Sequence, residues 1–243
     1  MKNQENGRVA VVVGGSGEIG RVIAEFFLRE KCRVAIVSRG MADSSFLENW
    51  DRDARAYTTQ YRADVGDEHE VRACLASING ELKQIDFLIY TPGLPPDIDL
   101  PLAKYPTAKW EETFRVYTTG LFLFFRETLP YLGEGGHIVV LSSAVTRFRG
   151  GNLPPFFAGH YAAAKAAVNE FCKWARREAS ERGVWLSRIA PAAVDVPFHR
   201  NAPPDRRPAA MIPVNVIASR IVRAALDGIE IDEEMVASFM PTE

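Results

Sequence analysis

The amino-acid sequence predicts a single α/β domain with one doubly wound parallel sheet and helices on both of its faces. Short apolar runs that suit buried strands alternate along the chain with longer segments of helical spacing. A glycine-rich turn joins the first of these strands to the first helix. The chain of 243 residues is long enough for one domain with a full hydrophobic core, and no segment suits a linker between domains. We therefore expect residues 1–243 to form one domain.

The first half of the chain contains four predicted strands. Arg8 to Val13 is a largely apolar run, as expected for a strand that is covered on both faces. Ile19 to Glu30 follows with apolar residues at helical spacing. We then predict a second strand (Arg33–Ser38), a more polar third strand (Ala56–Ala63), a helix (Asp67–Asn79) and a fourth strand (Ile85–Tyr90).

The second half of the chain continues the alternation. In chain order we predict a long apolar helix (Lys109–Leu132), a strand (His137–Leu141), a helix (His160–Arg182), a strand (Val184–Ile189), a last helix (Val214–Leu226) and a short edge strand (Glu234–Phe239). Strands joined through helices form right-handed crossovers, which make the sheet parallel. Ligands of such sheets bind outside the carboxyl ends of the strands, so the site is expected there.

Composition and charge exclude several classes of protein. The formal net charge of -2 gives no reason to expect binding to nucleic acid or to an acidic membrane surface. The three cysteines, Cys32, Cys74 and Cys172, lie far apart in apolar stretches, so we expect them to be buried and reduced, as in the cytoplasm. No apolar run suits a signal peptide or a membrane span, and no pattern predicts a metal site.

A phosphate-binding turn is predicted between the first strand and the first helix. Gly15-Ser16-Gly17-Glu18-Ile19-Gly20 has the G-x-G-x-x-G spacing of dinucleotide-binding proteins. Glycines allow a tight turn and a close backbone approach, and the N–H groups at the helix N-terminus can bind a pyrophosphate. The alternative is a glycine-rich turn that is needed only for packing.

The end of the second strand favours NADP(H) over NAD(H). NAD sites place an acidic residue there to bind the ribose hydroxyls, whereas this strand ends in Ser38-Arg39-Gly40. The guanidinium of Arg39 and the hydroxyl of Ser38 suit a 2′-phosphate, although Arg39 could also be an ordinary solvated arginine. After the third strand, Asp64 and Val65 are placed to contact adenine, but an acid at that point could equally cap a helix.

Tyr161 and Lys165 form the predicted catalytic pair. A spacing of four residues places the phenol and the ammonium on one face of a helix. We expect the ammonium to lower the pKa of the phenol, which could then exchange a proton with a carbonyl or an alcohol. Ser143, after the preceding strand, could orient the same substrate oxygen. The alternative is an amphipathic helix with two surface groups, although three intervening alanines favour close packing against a ligand.

From Val9 to about Phe198 the chain resembles the classical short-chain dehydrogenase/reductase family, which has a Rossmann-type fold. The segments that carry the resemblance are Val13–Gly20 (which includes Gly14), Asp64-Val65, Ser142-Ser143, and Tyr161 with Lys165. The resemblance implies that Tyr161 is the acid/base, that Ser143 orients the substrate, and that Lys165 lowers the phenol pKa and binds the nicotinamide ribose. It also implies cofactor contacts from the residues Thr91, Pro92, Gly93, Pro191, Val194 and Val196.

Four departures from the family pattern affect the expected site. Glu18 stands where the family has a glycine, and we expect its side chain to point into solvent. Tyr90-Thr91-Pro92-Gly93 replaces Asn-Asn-Ala-Gly and so lacks the amides that support the sheet edge and the cofactor. Tyr117 replaces the asparagine that anchors a water in the proton relay. Val196 replaces a threonine that binds the carboxamide, which leaves that contact to backbone groups.

Two loops are expected to shape the substrate site. Residues 147–157 form an insertion with four large apolar residues, which suits either an apolar substrate wall or a packing contact. The proline-rich residues 198–213 suit a mobile substrate lid.

Two predicted helices suggest contacts between subunits. Lys109–Leu132 and His160–Arg182 carry more apolar side chains than a single buried face of a helix needs. Relatives in the family pair these helices between subunits, so a homodimer or homotetramer is expected. The alternative is that the helix at Lys109–Leu132 is buried on two sides within one subunit.

Three functions fit these residues. The first is reversible hydride transfer between NADP(H) and a small-molecule carbonyl or alcohol, with reduction of a ketone as the favoured direction. The second is a redox-neutral isomerase or lyase on the same fold, suggested by Tyr117 and Val196. The third is a non-catalytic NADP-binding sensor, against which Ser143, Tyr161 and Lys165 argue.

Overall fold

The computed structural model describes residues 7–40, 50, 52–94, 100–147 and 158–235. Its centre is a seven-stranded parallel sheet in the order β3-β2-β1-β4-β5-β6-β7, with helices on both faces. The order reverses at β1, because β2 and β3 lie on one side of β1 and β4 to β7 on the other. This confirms the doubly wound Rossmann-type fold and places the topological switch point beside the glycine-rich turn.

The strands are β1 (Val9–Val13), β2 (Arg33–Ser38), β3 (Thr58–Arg62), β4 (Ile85–Tyr90), β5 (Leu132–Leu141), β6 (Trp185–Pro191) and β7 (Asp232–Met235). The helices are α1 (Glu18–Arg29), α2 (Arg52–Ala56), α3 (Glu68–Leu82), α4 (Thr107–Phe114), α5 (Gly120–Thr128), α6 (Gly159–Ser180), α7 (Pro197–Arg200) and α8 (Val214–Asp227). A short 3₁₀ turn at Leu102–Lys104 precedes α4, and another at Ala144–Arg147 follows β5.

The sheet separates two apolar cores. Alternate residues of β1 point to opposite faces, so Val11 lies in the core under α3, α5 and α6, and Val12 in the core under α1 and α8. All three cysteines are buried and free, as expected, and burial raises the pKa of the thiol of each one. In the described part of the chain, no helix is both long and apolar enough to cross a membrane.

The long helix predicted at Lys109–Leu132 differs from the observed structure at both its middle and its end. A π-helical segment at Arg115–Thr119 separates α4 from α5, and the amide N–H of Gly120 donates to the carbonyl of Arg115 five residues earlier. The helix ends at Thr128, and Leu132 pairs with Ile85 as the first residue of β5. The prediction for residues 129–132 was wrong because the apolar spacing continues past the point where the chain turns into the sheet.

The C-terminal edge strand begins earlier than predicted. β7 starts at Asp232 and pairs in parallel with β6, whereas the sequence predicted a strand at Glu234–Phe239. Residues 236–239 of that prediction lie outside the described residues. Four carboxylates in the segment from Glu230 to Glu234 form ion pairs with arginines of other elements, which explains why a strand this acidic can close the sheet.

Candidate active site

The glycine-rich turn lies at the carboxyl end of β1 and packs too closely for side chains. Gly14 has a φ of 80°, and a Cβ there would lie 2.9 Å from the backbone nitrogen of Pro92. A Cβ on Gly20 would lie 2.3 Å from the carbonyl oxygen of Gly14. Glycine is therefore required at both positions, by the backbone angle at Gly14 and by the close approach of helix and turn at Gly20.

The start of α1 fits a pyrophosphate. Gly17 is the N-cap residue and has no side chain to accept hydrogen bonds from the first turn, whereas α3 is capped by the carboxylate of Asp67. The first N–H groups of α1 are therefore available to an anion, in the arrangement by which helix N-termini bind phosphates. The side chain of Glu18 is exposed and pairs with Arg21 at 3.0 Å, which confirms that it points into solvent.

Thr91 compensates for one of the amides missing after β4. Its backbone N–H and its hydroxyl both donate to the carbonyl oxygen of Val13, at 3.0 and 2.7 Å. These two bonds join the end of β4 to the end of β1, next to the glycine-rich turn. Pro92 follows beside Gly14, and a Cβ on Gly93 would lie 3.7 Å from the hydroxyl oxygen of Tyr117.

Ser38 and Arg39 lie at the end of β2, where a ribose phosphate is expected. The hydroxyl of Ser38 donates to the carbonyl of Gly40 at 2.8 Å, and the side chain of Arg39 is exposed. Arg62, at the end of the neighbouring strand β3, donates from its Nε to the carbonyl of Arg39 at 3.3 Å. Sequence reasoning did not single out Arg62, although the parallel register aligns it with Ser38.

Asp64 has partners within the protein. Its Oδ1 accepts hydrogen bonds from the backbone N–H of Gly66 at 2.9 Å and from Arg115 at 2.6 Å. The pKa of Asp64 lies below its usual range because these hydrogen bonds and the charge of Arg115 outweigh the effect of burial. Asp67, not Asp64, caps α3, so the helix-cap alternative for Asp64 was wrong. Val65 is buried against the start of α5.

Ser143, Tyr161 and Lys165 lie together at the carboxyl ends of β5 and β6. The side chain of Ser143 lies close enough to Tyr161 to interact with its phenol, and this interaction opposes the rise in the phenol pKa. The ammonium of Lys165 donates to the carbonyl oxygen of Leu141, the last residue of β5, at 2.8 Å. Ser142 instead points to Asn169 of α6 and donates to its amide oxygen. Of the two serines, the structure thus places only Ser143 beside the phenol.

The acid–base state of the pair differs from the sequence-based prediction. Burial raises the pKa of Tyr161 above its usual range, and the charge of Tyr117 adds to this effect. Burial also lowers the pKa of Lys165 to about 7. The prediction that Lys165 lowers the pKa of Tyr161 was wrong, because the spacing of two residues on a helix does not reveal how far burial removes both groups from water.

Tyr117 is a site residue whose role the sequence did not show. It is buried in the π-helical segment, and its hydroxyl accepts a hydrogen bond from the backbone N–H of Leu94 at 3.0 Å. Its ring meets the ring of Tyr161 edge-on, with centroids 5.3 Å apart, and lies under the ammonium of Lys165. From the sequence we could infer only that the family's asparagine is missing at this position. The helical pattern does not reveal the π-helical segment that directs the side chain of Tyr117 towards Lys165.

The segment after β6 is held by backbone contacts of its own. Pro191 ends β6, and Val194 forms a parallel bridge with Ile212. The N–H of Val196 donates to the carbonyl of Val194 at 2.8 Å, so that donor is already engaged. The bridge fixes the base of the predicted lid, residues 198–213, while Phe198 at its start is half exposed. Residues 148–157 of the predicted insertion lie outside the described residues.

Comparisons with known proteins agree with this geometry. A model of the short chain dehydrogenase family matches residues 8–207. The chain is 27% identical to a 2-dehydro-3-deoxy-L-rhamnonate dehydrogenase (NAD(+)) from a Sphingomonas species, over 98% of this chain and 89% of that protein. It is 30% identical to an NADPH-dependent aldehyde reductase-like protein of Arabidopsis thaliana chloroplasts, over 77% and 73%.

Solved structures show the same fold. A short chain dehydrogenase from Burkholderia cenocepacia in complex with NADP superposes with a TM-score of 0.77 at 20% identity, over 96% of this chain and 98% of that one. At this identity the likeness concerns the fold alone. The match to the family model, in contrast, spans most of the chain and includes the glycine-rich turn and the Tyr161–Lys165 pair. The chain therefore belongs to the short-chain dehydrogenase family, whose members are nicotinamide-dependent oxidoreductases.

Proposed function

We propose that this protein uses NADPH to reduce a ketone on a small or medium-sized, partly apolar substrate. The observation that carries the proposal is the cluster of Ser143, Tyr161 and Lys165 beside an uncapped helix N-terminus at the switch point of the sheet. A hydride donor bound along this edge would present its reactive ring beside the phenol. The nicotinamide, when bound, supplies the hydride.

The protonation states support reduction as the direction. A phenol with a raised pKa is protonated at neutral pH and can donate its proton to the oxygen of a carbonyl as that oxygen gains charge. Ser143, whose side chain interacts with the phenol, can hold the same oxygen. Lys165 lies near the point of half-protonation at neutral pH, so it can return a proton to Tyr161 after each turnover.

The choice of NADP(H) rests on the end of β2. The exposed guanidinium of Arg39 can reach solvent beside the glycine-rich turn, and the carboxylate that would repel a 2′-phosphate is replaced by Ser38. Arg62, on the neighbouring strand, adds a second positive charge. The named relatives include an NAD(+) enzyme and an NADPH-dependent reductase-like protein, so family membership alone leaves both cofactors open.

The proposal is tested with purified protein, NADPH and a panel of ketones, by following the absorbance of the reduced nicotinamide. We expect consumption of NADPH with at least one ketone, and a loss of about a hundredfold or more in kcat for Tyr161→Phe. Conversion of a substrate with no net change in NADPH would replace the proposal with the redox-neutral alternative. Binding of NADPH without any conversion, unaffected by Tyr161→Phe, would replace it with the sensor alternative.

Cofactor choice has a separate test. Arg39→Ala should weaken NADPH binding by about tenfold or more and leave NADH binding nearly unchanged, because only NADPH carries the phosphate. Arg33→Ala, at the opposite end of the same strand, is the matched control and should change neither affinity. Equal losses for both cofactors in Arg39→Ala would remove the argument for the phosphate.

We also propose that two copies of the chain associate through an apolar groove between α5 and α6. The groove has a volume of about 440 Å³ and contains Phe122 and Trp174, whose side chains are exposed. Its lining residues are Phe122, Phe125, Arg126, Leu129, Pro130, Phe171, Trp174, Ala175, Glu178 and Arg182. The sequence-based expectation of a homodimer or homotetramer rests on these two helices.

A further inference from the structure

The ammonium of Lys165 is buried with few polar partners. The residue is 5% exposed, and Nζ donates to the carbonyl oxygen of Leu141 at 2.8 Å. No carboxylate of residues 7–40, 50, 52–94, 100–147 or 158–235 forms an ion pair with it. A single carbonyl leaves most of the lost hydration of an ammonium uncompensated, so other groups must stabilise the charge.

Two aromatic rings surround the same ammonium. Nζ lies 4.6 Å from the ring centroid of Tyr117 and 5.7 Å from that of Tyr161. Both distances are within the range of cation–π attraction, and the attraction is stronger in a site without water. The nearer ring belongs to Tyr117, which comes from a different element than Lys165 itself.

The ring of Tyr117 is held from several directions. Its hydroxyl accepts from the N–H of Leu94, in the loop after β4, and its ring forms a T-shaped contact with the ring of Tyr161. The π-helical segment that carries it is supported by Tyr90 of β4, whose hydroxyl donates to the carbonyl of Val116 at 2.6 Å. π-helical turns often occur at functional sites because they re-aim side chains, and here the turn places a ring under the ammonium.

We propose that Tyr117 is a positioning residue, whose ring holds the ammonium of Lys165 at the catalytic edge and keeps it protonated there by a cation–π contact. The inference deepens the proposed function, and its catalytic consequence rests on that function. The groups that face Nζ are the Tyr117 ring on the π-helical segment, the Leu141 carbonyl on β5, and Tyr161 and Cys172 on α6. Of these, only the Tyr117 ring can be changed without altering the phenol, the sheet or α6.

The first test measures the titration of Lys165 without cofactor. The full chain is labelled with ¹³C-lysine, and the resonance of Lys165 is identified by its loss in Lys165→Met. We expect Tyr117→Phe to keep the midpoint near 7, because the ring remains. Phenylalanines with one, two and three ring fluorines at position 117 keep the shape but weaken the negative ring face. They should lower the midpoint stepwise, by about one pH unit in total.

Tyr117→Leu removes the ring altogether and should lower the midpoint at least as far as the trifluorinated side chain. If this variant does not fold, the fluorinated series still decides, since its members differ little in shape. A midpoint that is the same in all fluorinated variants would overturn the inference, because a ring that only fills space is indifferent to its charge distribution.

The second test measures kcat/KM against pH with NADPH and a ketone. Because the protonated amine returns the proton, activity should fall as pH rises through its titration, and this fall should move to lower pH along the fluorinated series. If the midpoint of Lys165 shifts along the series but kcat/KM still falls at the same pH, the proposed effect of Tyr117 on catalysis is overturned. Absence of turnover in the wild type would instead refute the proposed function, while the titration would still report on the contact.

Discussion

The carboxylate of Asp64 and the guanidinium of Arg115 lie 2.6 Å apart and join the end of β3 to the π-helical segment. The pair is partly buried, and the same carboxylate oxygen also accepts from the N–H of Gly66. One ion pair thus connects the expected adenine contact with the segment that carries Tyr117. A contact of this kind stabilises more than a surface pair because less water competes for the charges.

The first prediction concerns the strength of this connection. In a double-mutant cycle of Asp64→Asn and Arg115→Met, we expect an interaction free energy of about 1 kcal/mol, measured by urea unfolding. The exposed pair of Lys173 and Glu170 is the control, and its interaction free energy should be a few tenths of a kcal/mol at most. Additive effects of the two substitutions at Asp64 and Arg115 would show that the pair does not hold β3 to the helix.

The second prediction concerns Gly120, where α5 begins. A Cβ there would lie 2.4 Å from the hydroxyl oxygen of Tyr90, which bonds to Val116. Gly120→Ala should therefore lower the free energy of unfolding by about 2 kcal/mol or more. Gly80→Ala, in α3 with nothing within 4 Å, is the matched control and should stabilise by about 0.5–1 kcal/mol.

A further variant tests the cause of that loss. In Gly120→Ala combined with Tyr90→Phe, the clash with the hydroxyl is removed, so part of the stability lost in Gly120→Ala should return. Purely additive losses in the double variant would show that the hydroxyl is not what requires glycine at this position.

The fold was largely predictable from local patterns, and the chemistry of the site was not. The bounds of β2 and β4 match the sequence-based prediction because each is a short apolar run between clear breaks. The proximity of Tyr161 and Lys165 followed from helical spacing alone. The direction of the Tyr161 pKa shift did not, since burial and the approach of Tyr117 depend on residues more than forty positions away.

The third prediction concerns a histidine buried in the sheet. His137 of β5 is hydrogen-bonded to Ser187 of β6 at 2.8 Å, and burial lowers its pKa to about 4. The unfolded chain binds a proton near pH 6.5 and the native chain does not, so stability falls as pH drops from 6.5 to 4. We expect this group to contribute a loss of about 3 kcal/mol over that window.

The measurement is urea unfolding at pH 7 and pH 4.5 for the wild type and for His137→Leu. The variant should lose much of the pH dependence, because Leu cannot take up a proton. His69→Gln, at an exposed position on α3, should behave like the wild type. An unchanged pH dependence in His137→Leu would contradict the prediction.

The fourth prediction sets stability against activity at Lys165. Its pKa is lowered from 10.5 to about 7 by burial, so the native state releases the proton before the unfolded state does. Lys165 should therefore contribute a rise in stability as pH increases from 7 towards 10.5, measured as the difference between the wild type and Lys165→Met. Lys165→Met should remove this rise, stabilise the protein at pH 7 by about 1–3 kcal/mol, and abolish turnover. A less stable Lys165→Met variant would show that the charge is better compensated than its contacts indicate.

The fifth prediction concerns the groove between α5 and α6. Trp174 is 66% exposed and Phe122 is 43% exposed, which is costly for large apolar side chains on neighbouring helices. If a second copy covers them, light scattering should give a multiple of 27.0 kDa for the wild type. Phe122→Glu with Trp174→Glu should give the single-chain mass, because two carboxylates would be buried in an apolar contact. Trp185→Glu, a tryptophan 43% exposed on β6 and outside the groove, should keep the wild-type mass, and dissociation by this control would show that the groove is not the interface.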